Sequence, residues 1–191
     1  MRFGFALPQV GSLAGPEALV MVAKRAEDLG VDCLWVLDRL LWPVNPRAPY
    51  PLGDGSLPVQ YKNVLDPVET LTFAAAHTSR IALATGVLNL PWYNPVLLAR
   101  RLTTLDILSR GRLRVGFGIG WSPDEYEAAG ATWQDRGKRA DESIEMLKKS
   151  GRPIRWSFTA SIIGFQNRLS VQSPCRNPIH RSIWRHLRLP P

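Results

Sequence analysis

The sequence predicts an α/β fold built on a parallel β-sheet. Over residues 1–150, short apolar runs typical of strands alternate with amphipathic segments typical of helices. The runs are apolar at nearly every position, which is characteristic of strands that helices cover on both faces. These two observations leave open whether the sheet is doubly wound or closed into a (β/α)8 barrel.

The first predicted unit is a strand followed by a helix. Residues 3–7 form an apolar run that ends at Pro8, and Pro16 suits the first turn of a helix. Apolar side chains recur at helical spacing over residues 17–29, charged side chains occupy the opposite face, and Gly30 ends the helix. We expect this amphipathic helix to cover one face of the sheet.

The second predicted strand leads into a long irregular segment. Residues 31–37 are nearly all apolar and are followed by Asp38. Residues 39–65 are rich in proline, glycine and asparagine, which predicts a loop within the domain and not a linker between domains. Loops of this length in a compact domain are usually functional lids or disordered.

Two further units repeat the pattern. Asp66 with Pro67, and Asn94 with Pro95, suit the start of a helix. The predicted elements are a helix from residue 66 to about residue 78, a strand over 81–88, a helix from residue 94, a strand over 112–120 and a last helix over about 135–149. About four strand–helix units are therefore expected before residue 150.

The composition changes abruptly near residue 150. Residues 1–150 carry 17 Lys and Arg against 16 Asp and Glu, whereas residues 151–191 carry seven Arg and no acid. The formal net charge of +8 therefore does not describe the main domain. We divide the chain into a domain over residues 1–150 and an irregular, basic, acid-free tail over residues 151–191. The preferred interpretation of the tail is a shifted reading frame, a fragment or disorder, and the alternative is a tail that binds nucleic acid.

Several classes of function are not favoured. No apolar run approaches the roughly 20 residues that a membrane span needs, and the N-terminus lacks the features of a signal peptide. A cytoplasmic location without membrane contact is expected. Cys33 and Cys175 match no metal-ligand spacing, so no metal site is predicted. The near-neutral charge of residues 1–150 gives no reason to expect a nucleic acid as partner.

Candidate functional residues follow the predicted strands. In parallel α/β folds, ligands bind at the carboxyl ends of the strands. Four such positions are residues 9–11, 38–39, 85–89 and 116–121. Glycines there let a planar or phosphorylated ligand approach the backbone closely. A Rossmann dinucleotide site with Glu142 near the ribose is a weaker interpretation, because the glycines after residue 115 run through a strand and do not open a helix.

Several segments together resemble the luciferase-like monooxygenase superfamily, in the order in which that family has them. They are residues 2–9, 26–30 with 34–38, 78–81 with 85–88, 94–95 with 98–100, and 111–113 through 120–121. Residues 49–55 and 136–142 resemble the branch of probable oxidoreductases that depend on the deazaflavin coenzyme F(420). The resemblance covers about residues 1–150.

The resemblance implies the N-terminal half of a (β/α)8 TIM-type barrel, with a cofactor at the carboxyl ends of its strands. The cofactor would be coenzyme F(420), or FMN as the alternative, and the chemistry would be hydride transfer to or from a small-molecule substrate. A non-prolyl cis peptide is implied between Gly86 and Val87. The implied cofactor-binding residues are Asp38, Gly86, Val87, Asn89, Ile119, Gly120 and Asp124.

Two positions depart from the dehydrogenases of this family, which have a histidine after the acid of the second strand and a glutamate after the glycines of the fourth. This chain has Arg39 and Trp121 there. A permanently charged arginine cannot act as a general base and an indole cannot act as a general acid, so no catalytic residue is assigned. We expect Arg39 either to bind an anionic substrate or to pair with Asp38.

Three functions are therefore kept open. The first is an F(420)-dependent oxidoreductase, and the second is an FMN-dependent monooxygenase. The third is an inactive half-barrel or a binding module, because a whole barrel needs roughly 250 residues and only four strands are predicted here. The first and fourth strands of an open half-barrel would be exposed edges, which predicts aggregation or a homodimer.

Overall fold

The computed structural model describes residues 3–149, 155–159 and 168–169 of the chain. The strands are β1 (Gly4–Ala6), β2 (Cys33–Val36), β3 (Ala82–Thr85), β4 (Leu88–Asn89), β5 (Leu113–Gly118), β6 (Arg155–Thr159) and β7 (Arg168–Leu169). Five of them form one sheet in the order β1-β2-β3-β5-β6, and every neighbouring pair among these five is parallel. The short β4 pairs with β5, and β7 is antiparallel to β6. The predicted α/β fold with a parallel sheet is confirmed.

Helices connect the strands. They are α1 (Pro16–Asp28), α2 (Pro67–His77), α3 (Pro95–Leu108), α4 (Pro123–Ala128) and α5 (Arg136–Lys149). The side chains of Asp66 and Asn94 accept hydrogen bonds from backbone N–H groups in the first turns of α2 and α3. Such caps satisfy donors that the helix itself leaves unpaired, so both predicted helix starts are confirmed.

The main core holds the sheet against the helices. Leu34 of β2, Leu83 of β3 and Leu113 of β5 belong to one cluster of buried side chains with Leu71 of α2 and Leu102 of α3. All five leucines are almost completely shielded from solvent. Burying each of them stabilises the fold by about 1.5 to 3 kcal/mol before entropy losses are counted. This packing keeps the carboxyl ends of the strands side by side.

The third predicted strand is interrupted. The sequence predicts a single strand over residues 81–88, but the structure has β3 and β4, separated by the Gly86–Val87 peptide. This peptide is cis, as the resemblance implies. β3 pairs with both β2 and β5, whereas β4 pairs with β5 alone. The run of apolar residues gives no sign of the break, because both strands are buried.

Helix α4 and the strands β6 and β7 were not predicted from the pattern. Helix α4 has only six residues, which is too short for a helical period to be recognised. Strand β6 lies in the basic segment that we expected to be irregular, yet it pairs with β5 as the fifth parallel strand. Its five residues alternate polar and apolar, a signal too short to predict a strand by itself. Most of the tail lies outside the described residues, so its proposed origin stays a prediction.

Within residues 3–149 and the two later strands, no helix combines the length and the apolar character that crossing a membrane requires.

Candidate active site

A cavity of about 590 Å³ lies at the carboxyl ends of the strands. Its wall is built from residues that end or follow β2, β3 and β5, together with residues of the segment 39–65 and of α4 and α5. The lining includes Leu37, Asp38, Gly86, Asn89, Gly118, Trp121, Tyr50, Tyr61, Glu125 and Arg136. The irregular segment after β2 therefore forms part of the candidate site.

Asp38 is the most perturbed titratable group of this wall. Its side chain is buried, and its Oδ2 accepts hydrogen bonds from the backbone N–H of Asn89 over 2.8 Å and from the hydroxyl of Tyr93 over 3.0 Å. Burial raises the pKa of the Asp38 carboxyl to about 7, although both hydrogen bonds lower it in part. Asp38 can therefore gain or lose a proton near neutral pH.

Asn89 ties the end of β2 to β4. Besides its backbone bond to the Asp38 carboxylate, its side-chain Nδ2 donates to the backbone carbonyl of Asp38 over 3.1 Å. Asn89 is almost as buried as Asp38. Asn89 donates both bonds, and together they fix the relative positions of two residues that lie 51 positions apart in the chain.

Glycines make the β5 side of the wall. A Cβ at Gly118 would lie 2.6 Å from Cγ2 of Val87, and one at Gly120 would lie 3.2 Å from Oδ1 of Asn89. Gly120 also has a φ of 71°, which side chains other than glycine rarely adopt. Together with Gly86, these residues leave bare backbone along the cavity. A Cβ at Gly118 or Gly120 would meet these neighbouring side chains, so glycine is what lets Val87 and Asn89 pack against the end of β5.

Arg39 forms a buried ion pair with Glu125 and not with Asp38. Its Nη1 lies 3.1 Å from Oε2 of Glu125, and both side chains are more than nine-tenths buried. Oε1 of Glu125 accepts from the backbone N–H of Leu40 over 2.8 Å. Burial raises the pKa of Glu125, although the charge of Arg39 and the backbone hydrogen bonds lower it in part. The expected pairing of Arg39 with Asp38 is therefore corrected.

Aromatic rings surround the guanidinium of Arg39. Its Cζ lies 5.0 Å from the ring centre of Trp121 and 5.7 Å from that of Tyr61. Tyr50 packs edge-on against both rings, with centre distances of 5.5 Å to Trp121 and 6.0 Å to Tyr61. These four side chains all border the cavity. Trp121 thus contributes packing to the site, and its indole cannot transfer a proton there.

The structure brings six of the seven predicted cofactor-binding residues together. They are Asp38, Gly86, Val87, Asn89, Ile119 and Gly120. Asp124 is not part of the cavity wall. It lies on α4, and its Oδ1 accepts from Nε of Arg47 over 2.9 Å. Successive helical residues point about 100° apart, and on α4 it is Glu125 that faces the cavity.

Sequence reasoning missed Tyr93 and Glu125. Glu125 could have been found from Ser122-Pro123-Asp124-Glu125, which has the serine, proline and acids of a helix start. Nothing near Tyr93 marks it, because its contact with Asp38 crosses 55 positions of the chain. Tyr93 also borders a second cavity of about 310 Å³, which Asp38, Arg39, Asp66 and Arg101 line as well.

Among the described residues, no three His, Cys, Asp or Glu side chains are grouped as metal ligands would be.

Comparison with known proteins gives one family. The sequence profile of the luciferase-like monooxygenases matches residues 1–180. An uncharacterized protein of Mycobacterium tuberculosis is 39% identical over 128 residues, which cover 66% of this chain and 45% of that protein. The F(420)-dependent glucose-6-phosphate dehydrogenase of Amycolatopsis mediterranei is 31% identical over 141 residues, which cover 71% of this chain and 38% of the enzyme. The chain thus spans less than half the length of these curated relatives.

Solved structures show the same fold. Monooxygenase RslO1 from Streptomyces bottropensis superposes with a TM-score of 0.64 and 26% identity, over 88% of this chain and 47% of that one. The oxygenating constituent of 3,6-diketocamphane monooxygenase from Pseudomonas putida, solved with FMN, gives a TM-score of 0.62 at 18% identity, over 78% of this chain and 40% of that one. The sheet of five parallel strands is therefore part of a TIM-type barrel, as the resemblance implies.

Proposed function

The chain belongs to the luciferase-like monooxygenase family, and from that premise we propose that its cavity binds coenzyme F(420) and serves hydride transfer with a small-molecule substrate. Family members that this chain resembles include an F(420)-dependent dehydrogenase and monooxygenases, one of them solved with FMN. A flavin or deazaflavin oxidoreductase is thus the class that fits, and F(420) is our choice within it.

The observation that carries the proposal is the composition of one wall of the cavity. Asp38 and Asn89 are locked together there by hydrogen bonds, next to the bare backbone of Gly86, Gly118 and Gly120. A planar ring system can lie against exposed glycine backbone. Buried polar groups beside it can bond to the ring edge. The residues present therefore fit a flavin-like group.

The bound deazaflavin would supply the hydride chemistry. The side chains of this chain would orient the substrate and hold or release a proton. Asp38 would hold or release a proton at its carboxylate, since its pKa of about 7 lets both forms exist at neutral pH. Arg39 and Trp121 would exclude water from this end of the cavity and position the substrate. Arg136, which also lines the cavity, would face the anionic portion of the cofactor.

The preference for F(420) rests on the dehydrogenase relative, which is 31% identical over most of the described domain. An FMN-dependent monooxygenase is the second candidate, because RslO1 is a monooxygenase that is 26% identical over 88% of this chain and another monooxygenase of the same fold was solved with FMN. Since the chain spans less than half the length of its curated relatives, turnover by this chain is itself part of the proposal.

A titration of the full chain tests the cofactor. We expect fluorescence titration to show micromolar binding of F(420) and weaker binding of FMN. Asp38→Asn should weaken F(420) binding about tenfold, equivalent to about 1.4 kcal/mol. The matched control is Glu142→Gln, an exposed carboxylate on α5, which should leave binding unchanged.

The other outcomes select the alternatives. Binding of FMN without binding of F(420) would replace our choice by an FMN-dependent monooxygenase. Binding of neither would favour the inactive half-barrel or binding module. The fourth predicted strand, β5, is not an exposed edge as we expected, because it pairs with β6. Sedimentation velocity then tests the homodimer that we propose to form through the exposed edge of β1.

A further inference from the structure

We propose that Arg39 binds a carboxylate of the substrate through the Nε and Nη2 edge of its guanidinium, so that the substrate class is an aromatic or otherwise planar carboxylic acid. The proposal deepens the proposed function and rests on it, because it places this substrate in the cavity assigned to the cofactor reaction.

The first argument is that only one of the three guanidinium nitrogens of Arg39 has a partner. Nη1 is engaged with Glu125 over 3.1 Å. Nε and Nη2 are buried and have no hydrogen-bond partner among the described residues. The side chain is only 7% exposed, so bulk water does not satisfy them either. Buried donors are nearly always paired in folded proteins, and this pair therefore calls for an acceptor.

The second argument is the geometry of the free nitrogens. Nε and the neighbouring Nη2 donate in parallel from one side of the planar guanidinium, at a spacing that matches the two oxygens of a carboxylate. Glu125 cannot turn to fill this edge, because its Oε1 is held by the backbone N–H of Leu40. The unfilled edge is thus suited to a second carboxylate from outside the chain.

The third argument is the charge of the cavity wall. The aspartate, glutamate and arginine side chains that line it are Asp38, Arg39, Glu125 and Arg136. Glu125 and Arg39 neutralise each other. Burial favours the uncharged form of Asp38 up to about pH 7. Because Arg136 is assigned to the cofactor, the rest of the wall carries no net negative charge that would repel an anionic substrate.

The fourth argument is the shape of the surroundings. The rings of Trp121 and Tyr61 flank the guanidinium, and Tyr50 contacts both rings. Planar unsaturated groups pack favourably among such rings. Because Nε and Nη2 are shielded from water, a carboxylate reaches them only when Arg39 or one of the rings shifts. Binding should therefore change the fluorescence of Trp121.

Calorimetric titration of the full chain with benzoate, its neutral analogue benzamide and inorganic phosphate tests the proposal. We expect benzoate to bind at least tenfold more tightly than benzamide, with quenching of tryptophan fluorescence, and phosphate to compete poorly. Arg39→Gln should remove this preference. The double variant Arg39→Gln/Glu125→Gln, which leaves no unpaired buried carboxylate, should remove it as well. Arg47→Gln, which removes an exposed guanidinium bound to Asp124, should keep it.

The proposal is overturned if benzoate and benzamide bind equally well, or if both Arg39 variants retain the preference for benzoate. It is also overturned if Arg39→Gln weakens the binding of FMN but not that of riboflavin, since Arg39 would then hold the cofactor phosphate. Failure of the cofactor proposal is separable: the chain would bind neither F(420) nor FMN, while selective and Arg39-dependent binding of benzoate would persist.

Discussion

The hydroxyl of Tyr93 donates a hydrogen bond to Oδ2 of Asp38 over 3.0 Å, next to the bond that the backbone of Asn89 makes to the same oxygen. Both donors stabilise the charged carboxylate, whereas burial stabilises its neutral form. The opposition of these effects places the pKa of Asp38 at about 7. The proton at the centre of the candidate site is thus controlled by contacts between distant parts of the chain.

Replacing Tyr93 by Phe should raise the pKa of Asp38 above about 7, because the variant loses a donor to the charged form and keeps the burial. NMR titration of the carboxyl carbon of Asp38 measures this directly. Tyr61→Phe is the control, since Tyr61 has its hydroxyl near Tyr50 and not near Asp38. A pKa that stays constant or falls in Tyr93→Phe would show that the hydrogen bond does not stabilise the carboxylate.

Asp38 should also make stability depend on pH. The folded protein keeps this proton up to about pH 7, whereas the unfolded chain loses it near pH 4. Between these values the folded state binds more protons, so the free energy of unfolding should fall as pH rises and level off above pH 7. In Asp38→Asn, the fall in the free energy of unfolding over this pH range should be smaller by about 2 to 4 kcal/mol.

Urea unfolding at several pH values between 4.5 and 7.5 tests this prediction through the difference between wild type and Asp38→Asn. The difference cancels groups such as Glu27, whose pKa is lowered to about 2 in both proteins because bonds from backbone N–H groups outweigh the effect of its burial. Parallel stability curves for the two proteins would exclude Asp38 as the source.

Gly116 should not tolerate a side chain. A Cβ there would lie 2.5 Å from the backbone carbonyl oxygen of Thr85, and the same glycine exchanges two hydrogen bonds with the Thr85 hydroxyl. Gly116→Ala should lower the free energy of unfolding by about 2 to 3 kcal/mol, because backbone has to move. Gly137→Ala is the control, since open space surrounds that position in α5. It should be neutral or stabilising by up to about 1 kcal/mol, and equal effects of the two changes would contradict the predicted clash.

Arg112 joins the end of α2 to the start of β5. Its guanidinium donates five hydrogen bonds, to the backbone carbonyls of Ala75, Thr78, Ile81 and Ser109 and to the Thr78 hydroxyl. A lysine keeps the charge but has only three donors at one point. Arg112→Lys should therefore cost about 2 to 3 kcal/mol of stability in thermal or urea unfolding. The exposed Arg110→Lys should change the free energy of unfolding by less than about 0.5 kcal/mol. A comparable loss in that variant would show that the cost of Arg112→Lys does not come from its hydrogen bonds.

Much of the fold follows from local signals in the sequence. Asp66 and Asn94 were predicted to start helices because their side chains can cap the residues that directly follow them. The resemblance to the luciferase-like monooxygenases, now confirmed by the family match, depends on segments in a fixed order and needs no structure. Local signals failed for α4 and β6, which are too short for a period to appear.

The candidate site was predicted only in part. Six residues that the resemblance implies do line one cavity, whereas Asp124 lies outside its wall and binds Arg47. We expected Arg39 either to bind an anionic substrate or to pair with its neighbour in sequence, Asp38, but its ion-pair partner is Glu125, 86 positions away. Proximity along the chain is a poor guide to an ion pair that forms across a loop and a separate helix.

The sequence by itself determined the class of fold and the strand ends at which the site lies, because apolar periodicity and helix caps act over a few residues. The family followed from the resemblance of segments in a fixed order. Tertiary structure decided which side chains meet: Tyr93 with Asp38, Glu125 with Arg39, and the rings of Tyr61 and Trp121 with the same guanidinium. These contacts set the proton affinity and the free donors of the cavity. They depend on burial and on distances between remote segments, which only the folded chain defines.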